Sequence, residues 1–277
     1  MLPFRFRSTS GDTRVGVLAN PSGECEPELL LIEAWARNVG VEVVNLGTSA
    51  EPHSLPADCE LVIALGGDGT ILRALQLAIT NHAAVLGINF GNVGFLADSG
   101  SDDLAAALGR IARGEAQVEE RIALAATVPA DPPRRMTAFN DVVVARVPGF
   151  GTARLRVDID GQAMLALAGD GVVIASSTGK TAYTLGVGGP AVAPTLDAIN
   201  LTPLASQGRP LRSLVVDGNR HRTRHERAVE RTAEHRGPRH DHQVPASASL
   251  EVCAAPRKAR RVRTLPRTFY ADLAHRL

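Results

Sequence analysis

The stretch IALGGDGTILRAL, residues 63–75, places one carboxylate, Asp68, among Gly66, Gly67 and Gly69, where an apolar run gives way to a helical pattern. A strand ending in two glycines lets backbone amides approach a ligand closely, and a helix beginning near Thr70 turns its positive end toward the same place. Phosphate suits such a place. A carboxylate there repels phosphates unless it binds Mg2+ or takes the proton of an attacking hydroxyl, so the chemistry described is phosphoryl transfer to an alcohol. The competing reading is structural, because an aspartate at this point can also cap the first turn of the helix with its side chain. The residues alone leave both open.

Holding that carboxylate requires a strand before the glycines and a helix after them. The first third of the chain has this rhythm: apolar runs at 14–20, 41–46, 61–67 and 84–89 alternate with helical patterns at 27–40 and 70–79. Strands rich in Val, Ile and Leu on both faces fit an open parallel sheet covered by helices, whose ligands gather at the carboxyl ends of the strands. A helix over 102–112 is expected, with Ser101 as N-cap and Leu104, Leu108 and Ile111 on one face. From about residue 121 the texture changes to alternating segments at 142–147, 153–160 and 171–177, which predict a mainly β, sandwich-like second domain. The expected organisation is an α/β domain over 1–120, a mainly β domain over 121–254, and a segment 255–277 that docks back on the first. RTFYADLAHRL at the end reads as a docking helix, and the site is expected in the cleft between the domains. Residues 219–240 hold seven arginines and four histidines with almost nothing apolar. They read as exposed and unable to form an apolar strand, either a basic insertion or a stretch translated out of phase.

Composition narrows the partners. With 30 Lys and Arg against 29 Asp and Glu, the net charge of +1 provides no global field for nucleic acid or an anionic membrane. The opening residues contain no signal-peptide-like apolar run and no later run approaches a membrane span, so a cytoplasmic location is expected. Cys25, Cys59 and Cys253 are too scattered for a disulfide framework or a zinc site. His221 and His225 are spaced like helical zinc ligands, but without an HExxH frame a solvated basic loop is the better reading. Glu226, Glu230 and Glu234, interleaved with the arginines, weigh against nucleic acid.

GGDGTILRA resembles a glycine-rich signature shared by NAD kinases, lipid kinases and phosphofructokinases. The blocks that follow, GINFGNVGFLAD (87–98), FNDVVVAR (139–146) and the long run from Gly169 to Leu204, resemble those of bacterial NAD kinases in the same order. The likeness covers roughly residues 14–216 and resumes over 241–277. It implies an enzyme that phosphorylates the 2′-hydroxyl of the adenosine ribose of NAD, with ATP or polyphosphate as donor, a divalent metal such as Mg2+, and a homo-oligomer, dimer or tetramer. By position, Asp68 matches the general base. Gly69 matches a backbone contact to the nucleotide, and Arg73 a basic contact near the phosphates. Asn140 and Asp141 stand at the family's Asn-Glu pair, with Asp for Glu. Asp170 matches an aspartate near the nicotinamide half. Thr181, Ala182, Tyr183, Thr184, Leu185 and Gly186 match the adenosine-contacting segment, and Gln243 the glutamine of a DGQ motif. Lys180, Ala168, Gln207 and His242 depart from the family pattern. Two alternatives stay open: a lipid or sugar kinase sharing GGDGT, and a catalytically weak NAD-binding protein.

Overall fold

A computed structural model describes residues 1–7, 13–21, 25–90, 96–128, 130–147, 149, 151–179, 183–208, 211–218 and 249–265, and the backbone alone of 222–226, 233–237 and 240–244. The chain forms two compact units, one of Met1–Glu120 with Arg257–Leu277 and one of Arg121–Pro256. Up to residue 121 it runs β1 (Leu2–Pro3), β2 (Arg14–Ala19), α1 (Glu26–Val39), β3 (Glu42–Thr48), β4 (Cys59–Leu65), α2 (Asp68–Asn81), β5 (Ala84–Asn89), β6 (Ser99–Gly100), a 3-10 turn (Ser101–Asp103), α3 (Leu104–Ala112) and β7 (Gln117–Arg121). It continues as β8 (Leu124–Val128), β9 (Arg134–Ala138), β10 (Asp141–Arg146), β11 (Ala153–Ile159), β12 (Gln162–Gly169), β13 (Gly171–Ser176), α4 (Tyr183–Gly186), β14 (Ala198–Leu204), β15 (Leu214–Asp217), β16 (Arg222–Glu226), β17 (Ala233–Gly237), β18 (His240–Val244) and β19 (Leu250–Ala254). Finally β20 (Ala259–Arg263) returns to the first unit.

In the first unit the strand order is β1-β7-β20-β5-β4-β2-β3, with β6 added on β5. Strands β20, β5, β4, β2 and β3 are mutually parallel. Their central members read as unbroken apolar runs because both faces are covered: Leu61 to Leu65 of β4 and the whole of β5 are buried. Helix α2 lies on them through Ile71, Ala74, Leu75 and Ala78, the i, i+3, i+4, i+7 stripe of an amphipathic helix. The open parallel sheet expected from the sequence carries an antiparallel margin, since β1, a two-residue edge strand ending in proline, pairs antiparallel with β7. One expectation needs correction. Ser101 does not cap the helix; it opens the 3-10 turn, and α3 starts only at Leu104 without a side-chain cap. The tight turn takes up the residues that the sequence assigns to the first helical turn.

The second unit is a sandwich of two sheets, ordered β15-β14-β13-β10-β17-β18 and β12-β11-β16-β19-β8-β9. Alternate residues of both, including Val142, Val172, Ile174 and Leu201 from one and Leu124, Leu155, Val157 and Val252 from the other, make one buried core. Here too an expectation is overturned. Within 219–240 the backbone forms β16, paired to β11 and β19, and β17, paired to β10 and β18. Ladder hydrogen bonds belong to the main chain, so a strand flanked on both sides by well-formed neighbours can be held by them against its own composition. His221, and the expected docking helix over 267–277, lie outside the described residues.

Candidate active site

Strand β4 delivers the glycine turn. Gly66 is the position the fold itself demands: its φ is +153°, and a Cβ there would lie 2.6 Å from Thr70 Oγ1 and 3.0 Å from Asn20 Cβ. Gly67 is the N-cap of α2, accepting Thr70 N–H at 2.9 Å and Ile71 N–H at 3.2 Å through its carbonyl. A Cβ at Gly67 or at Gly69 would meet nothing within 4 Å, and Gly69 is exposed. Among the described residues no neighbouring atom explains those two glycines, which leaves backbone open to a ligand.

Asp68 sits just inside α2, half-buried, directly after the N-cap glycine. Its carboxylate oxygen Oδ1 accepts the backbone N–H of Leu96 at 3.0 Å, which ties it to a segment 28 residues further along the chain. Arg73, one turn on, donates from Nη1 to Gln76 Oε1 at 2.9 Å, which steers it along the helix surface.

In the second unit Asn140 immediately precedes β10 and Asp141 opens it, both beside the end of β13. The Asn140 carbonyl accepts Ser176 N–H at 2.9 Å, and Ser176 Oγ donates to the Phe139 carbonyl. The same hydroxyl accepts the N–H groups of Thr178 at 3.1 Å and Gly179 at 3.2 Å, so one buried serine organises the turn leading into residues 180–186. Gly179 lies directly on the Asn140 backbone. Sequence reasoning missed Ser176, although a serine at the last position of an apolar strand, two residues before Thr-Gly, was a usable signal.

Burial pushes the Asp141 carboxyl up to about 6 from its ordinary 3.8. The folded state therefore favours the protonated form: this residue's contribution is complete below about pH 4, is lost as pH rises through about 6, and is constant above. Asp141→Asn is expected to unfold at higher denaturant than the parent at pH 7.5, by about 1–3 kcal/mol, with the gap closing near pH 4. Urea melts across that range check it, and parallel curves at every pH would contradict the burial argument.

Asp170 lies at the other end of the same ladder. Ala145 of β10 faces Gly171 of β13, whereas Asp141 faces Ala175, so the two aspartates are separated by nearly the length of β10, about 17 Å. Asp170 is half exposed and accepts a hydrogen bond from Arg146 Nε at 2.6 Å, while its backbone bonds Leu204 and Arg146. The glycines flanking it are obligatory, since a Cβ at Gly169 would meet the Leu204 carbonyl at 2.6 Å and one at Gly171 the Val144 carbonyl at 2.1 Å. Arg146 was a second omission, discoverable only from the antiparallel register.

In α4, Tyr183 and Gly186 are exposed, Leu185 is half-buried, and Thr184 is fully buried beneath Gly189. Thr184 thus faces the sheet rather than any open slot. Lys180, Thr181 and Ala182 lie outside the described residues, as does the side chain of Gln243, whose backbone pairs with Glu234 in the β17–β18 ladder. Gln207, at the expected histidine position, donates to Thr152 Oγ1 at 3.0 Å.

Two family models match the chain: the ATP-NAD kinase N-terminal domain over residues 39–116 and the ATP-NAD kinase C-terminal domain over 139–264. The NAD kinase of Clostridium tetani (strain Massachusetts / E88) is 34% identical over 209 residues, which are 73% of this chain and 76% of that one. This chain belongs to the NAD kinase family. The NAD kinase of Chloroflexus aurantiacus (strain ATCC 29366 / DSM 635 / J-10-fl) is 35% identical over 210 residues, 73% of this chain and 75% of its own. That of Leifsonia xyli subsp. xyli (strain CTCB07) is 41% identical over a shorter 179 residues, 64% of this chain and 58% of its own. Solved NAD kinase folds superpose over nearly the whole chain. Yeast NADH kinase complexed with NADH matches with a TM-score of 0.81 and 18% identity, over 95% of this chain and 87% of that one. An NAD kinase from Archaeoglobus fulgidus in complex with ATP gives 0.75 and 21%, over 95% and 98%. Membership in the NAD kinase family sets aside the lipid or sugar kinase reading that GGDGT alone leaves open.

Proposed function

We propose that this NAD kinase family member converts NAD to NADP, with Asp68 as the base that receives the proton of the adenosine ribose 2′-hydroxyl. As that oxygen attacks the terminal phosphorus of ATP or polyphosphate, the new O–P bond forms and the bridging P–O bond breaks. The donor leaves as ADP or a polyphosphate one unit shorter, and the hydroxyl proton passes to the Asp68 carboxylate. One observation carries the reading: the carboxylate at the end of β4 is held by a backbone amide of another segment, that of Leu96.

The remaining roles follow from chemistry. Gly67 and Gly69 let phosphate and ribose lie against backbone, and Arg73 supplies positive charge one turn on. Asn140, an amide that both donates and accepts, suits an adenine edge, with Asp141 accepting from an amine or hydroxyl beside it. Asp170 suits the nicotinamide half, and Tyr183 offers a π-face and a hydroxyl. Thr181, Ala182, Leu185, Gly186 and Gln243 are proposed contacts by family position. A divalent cation such as Mg2+ fits if the donor's phosphates are its main ligands. Among the described residues no group of three or more His, Cys, Asp and Glu could hold a metal ion, and Mg2+ commonly takes only one or two carboxylates besides phosphate and water. Asp68 is the carboxylate that the glycine turn itself carries; the ion, when bound, would neutralise phosphate charge. A cytoplasmic homo-oligomer, dimer or tetramer, belongs to the same proposal.

The test is NADP formation by the full chain from NAD and Mg2+ with ATP, and in parallel with polyphosphate. Product with either donor is the expected result. Tight NAD binding without product would point to a non-catalytic binding protein, and absence of both would sink the reading.

A further inference from the structure

The Asp68 partner, Leu96, belongs to a short segment with no regular structure of its own. What fixes it comes from both sides. On the β5 side, Asp98 N–H donates to the Gly87 carbonyl at 2.8 Å, and β6 pairs with the end of β5. On the other side stands β20, almost at the far end of the sequence. Arg261, only 4% exposed, donates from its guanidinium to the Leu96 carbonyl at 2.5 Å. It also lies 3.8 Å from the buried Glu119 carboxylate. Three residues on, Thr264 donates to the buried Asp98 carboxylate from its backbone N–H at 3.1 Å and also from its hydroxyl, and Arg263 adds its charge at 3.6 Å.

We propose that Arg261 is a positioning residue for catalysis: by gripping the Leu96 carbonyl it fixes the residue whose N–H holds the Asp68 carboxylate in place. Burying a guanidinium costs solvation that a loop anchor alone does not justify, and here the cost is offset by a charge-assisted bond to a carbonyl and by Glu119. The planar fork suits this double task, one nitrogen donating to the Leu96 carbonyl while the other faces the Glu119 carboxylate as a charge partner. Thr264 and Asp98 form the second fastening of the same segment. Loss of the grip frees Leu96 to shift, and a displacement of about 1 Å in a proton-accepting group can cost on the order of a hundredfold in rate. Because Arg261 acts through Asp68 and not on substrate, the loss should fall on kcat.

This inference rests on the proposed kinase reading, and the experiment separates the two. NADP formation is measured for the full chain as wild type, Asp68→Asn, Arg261→Met, Arg261→Lys and the double variant Asp68→Asn/Arg261→Met. The expected result is a kcat about tenfold or more lower in Arg261→Met, KM for NAD and donor within about twofold, partial recovery in Arg261→Lys, and no further loss in the double variant beyond Asp68→Asn alone. Additive losses, proportional rises in KM, or an unchanged kcat in Arg261→Met would overturn it while leaving the kinase reading intact. An inactive wild type or a fully active Asp68→Asn would instead strike the reading beneath it. Should Arg261→Met fail to fold, Arg261→Lys and Thr264→Val, which deletes one hydroxyl at nearly constant shape, carry the test. Each then shows a smaller drop confined to kcat, and no drop in either refutes the proposal.

Discussion

Asp68→Asn yields a folded protein that binds NAD and turns it over about a hundred to ten thousand times more slowly, the range typical for removal of a positioned acid–base group. Asparagine keeps the shape of aspartate, and its oxygen can still accept the Leu96 N–H that Oδ1 now accepts at 3.0 Å. Neither the end of β4 nor the first turn of α2 should move, so the unfolding midpoint should stay within about 1 kcal/mol of the parent. What the amide cannot do is receive a proton. The NAD dissociation constant should therefore change little while kcat collapses, and Asp68→Ala, which also loses the hydrogen bond, should fall at least as far. A variant whose kcat stays within a few-fold of the parent would remove Asp68 from the chemistry.

Gly179→Ala should be as damaging by an unrelated route. A Cβ at that position would lie 1.9 Å from the Asn140 carbonyl oxygen, 2.2 Å from its carbonyl carbon and 2.4 Å from its Cα. Every atom met is backbone, so no side chain can swing away. Either the turn held by Ser176 Oγ lifts off β10, breaking its bonds to the Thr178 and Gly179 amides, or Asn140 itself is displaced. Overpacking of this kind costs about 1–3 kcal/mol and sometimes more. We expect a loss near the upper end, together with NAD affinity weakened at least tenfold. Gly151→Ala is the control, because nothing lies within 4 Å of its Cβ and its stability should not move. Urea unfolding and NAD titration of both variants give the answer, and a Gly179→Ala protein that matches the control would show the approach to Asn140 to be looser than described.

Much of this arrangement was legible in the chain because periodicity and glycine placement are local signals. The continuous apolar runs of β4 and β5 announce a sheet covered on both faces, and the stripe of Ile71, Ala74, Leu75 and Ala78 announces the helix that covers it. GGDG marked the one carboxylate worth following. What could not be read depends on residues distant in sequence. The Leu96 amide that holds Asp68 has no side-chain signature, and Arg146 acquires a partner only because β10 and β13 run antiparallel in one register. The strands β16 and β17 were misjudged for a related reason, since composition reports what a segment would do alone, whereas neighbouring strands dictate what it does in a sheet.

The return of β20 to the first unit has a temporal side. A ribosome finishes the glycine turn early, then makes the entire sandwich before it reaches Arg261 and Thr264. Until those residues emerge, β5 lacks a neighbour in the sheet and Leu96 lacks its anchor. Nascent chains that already expose GGDG would therefore remain inert throughout synthesis, and competence would arrive in a single late step, once β20 slots home.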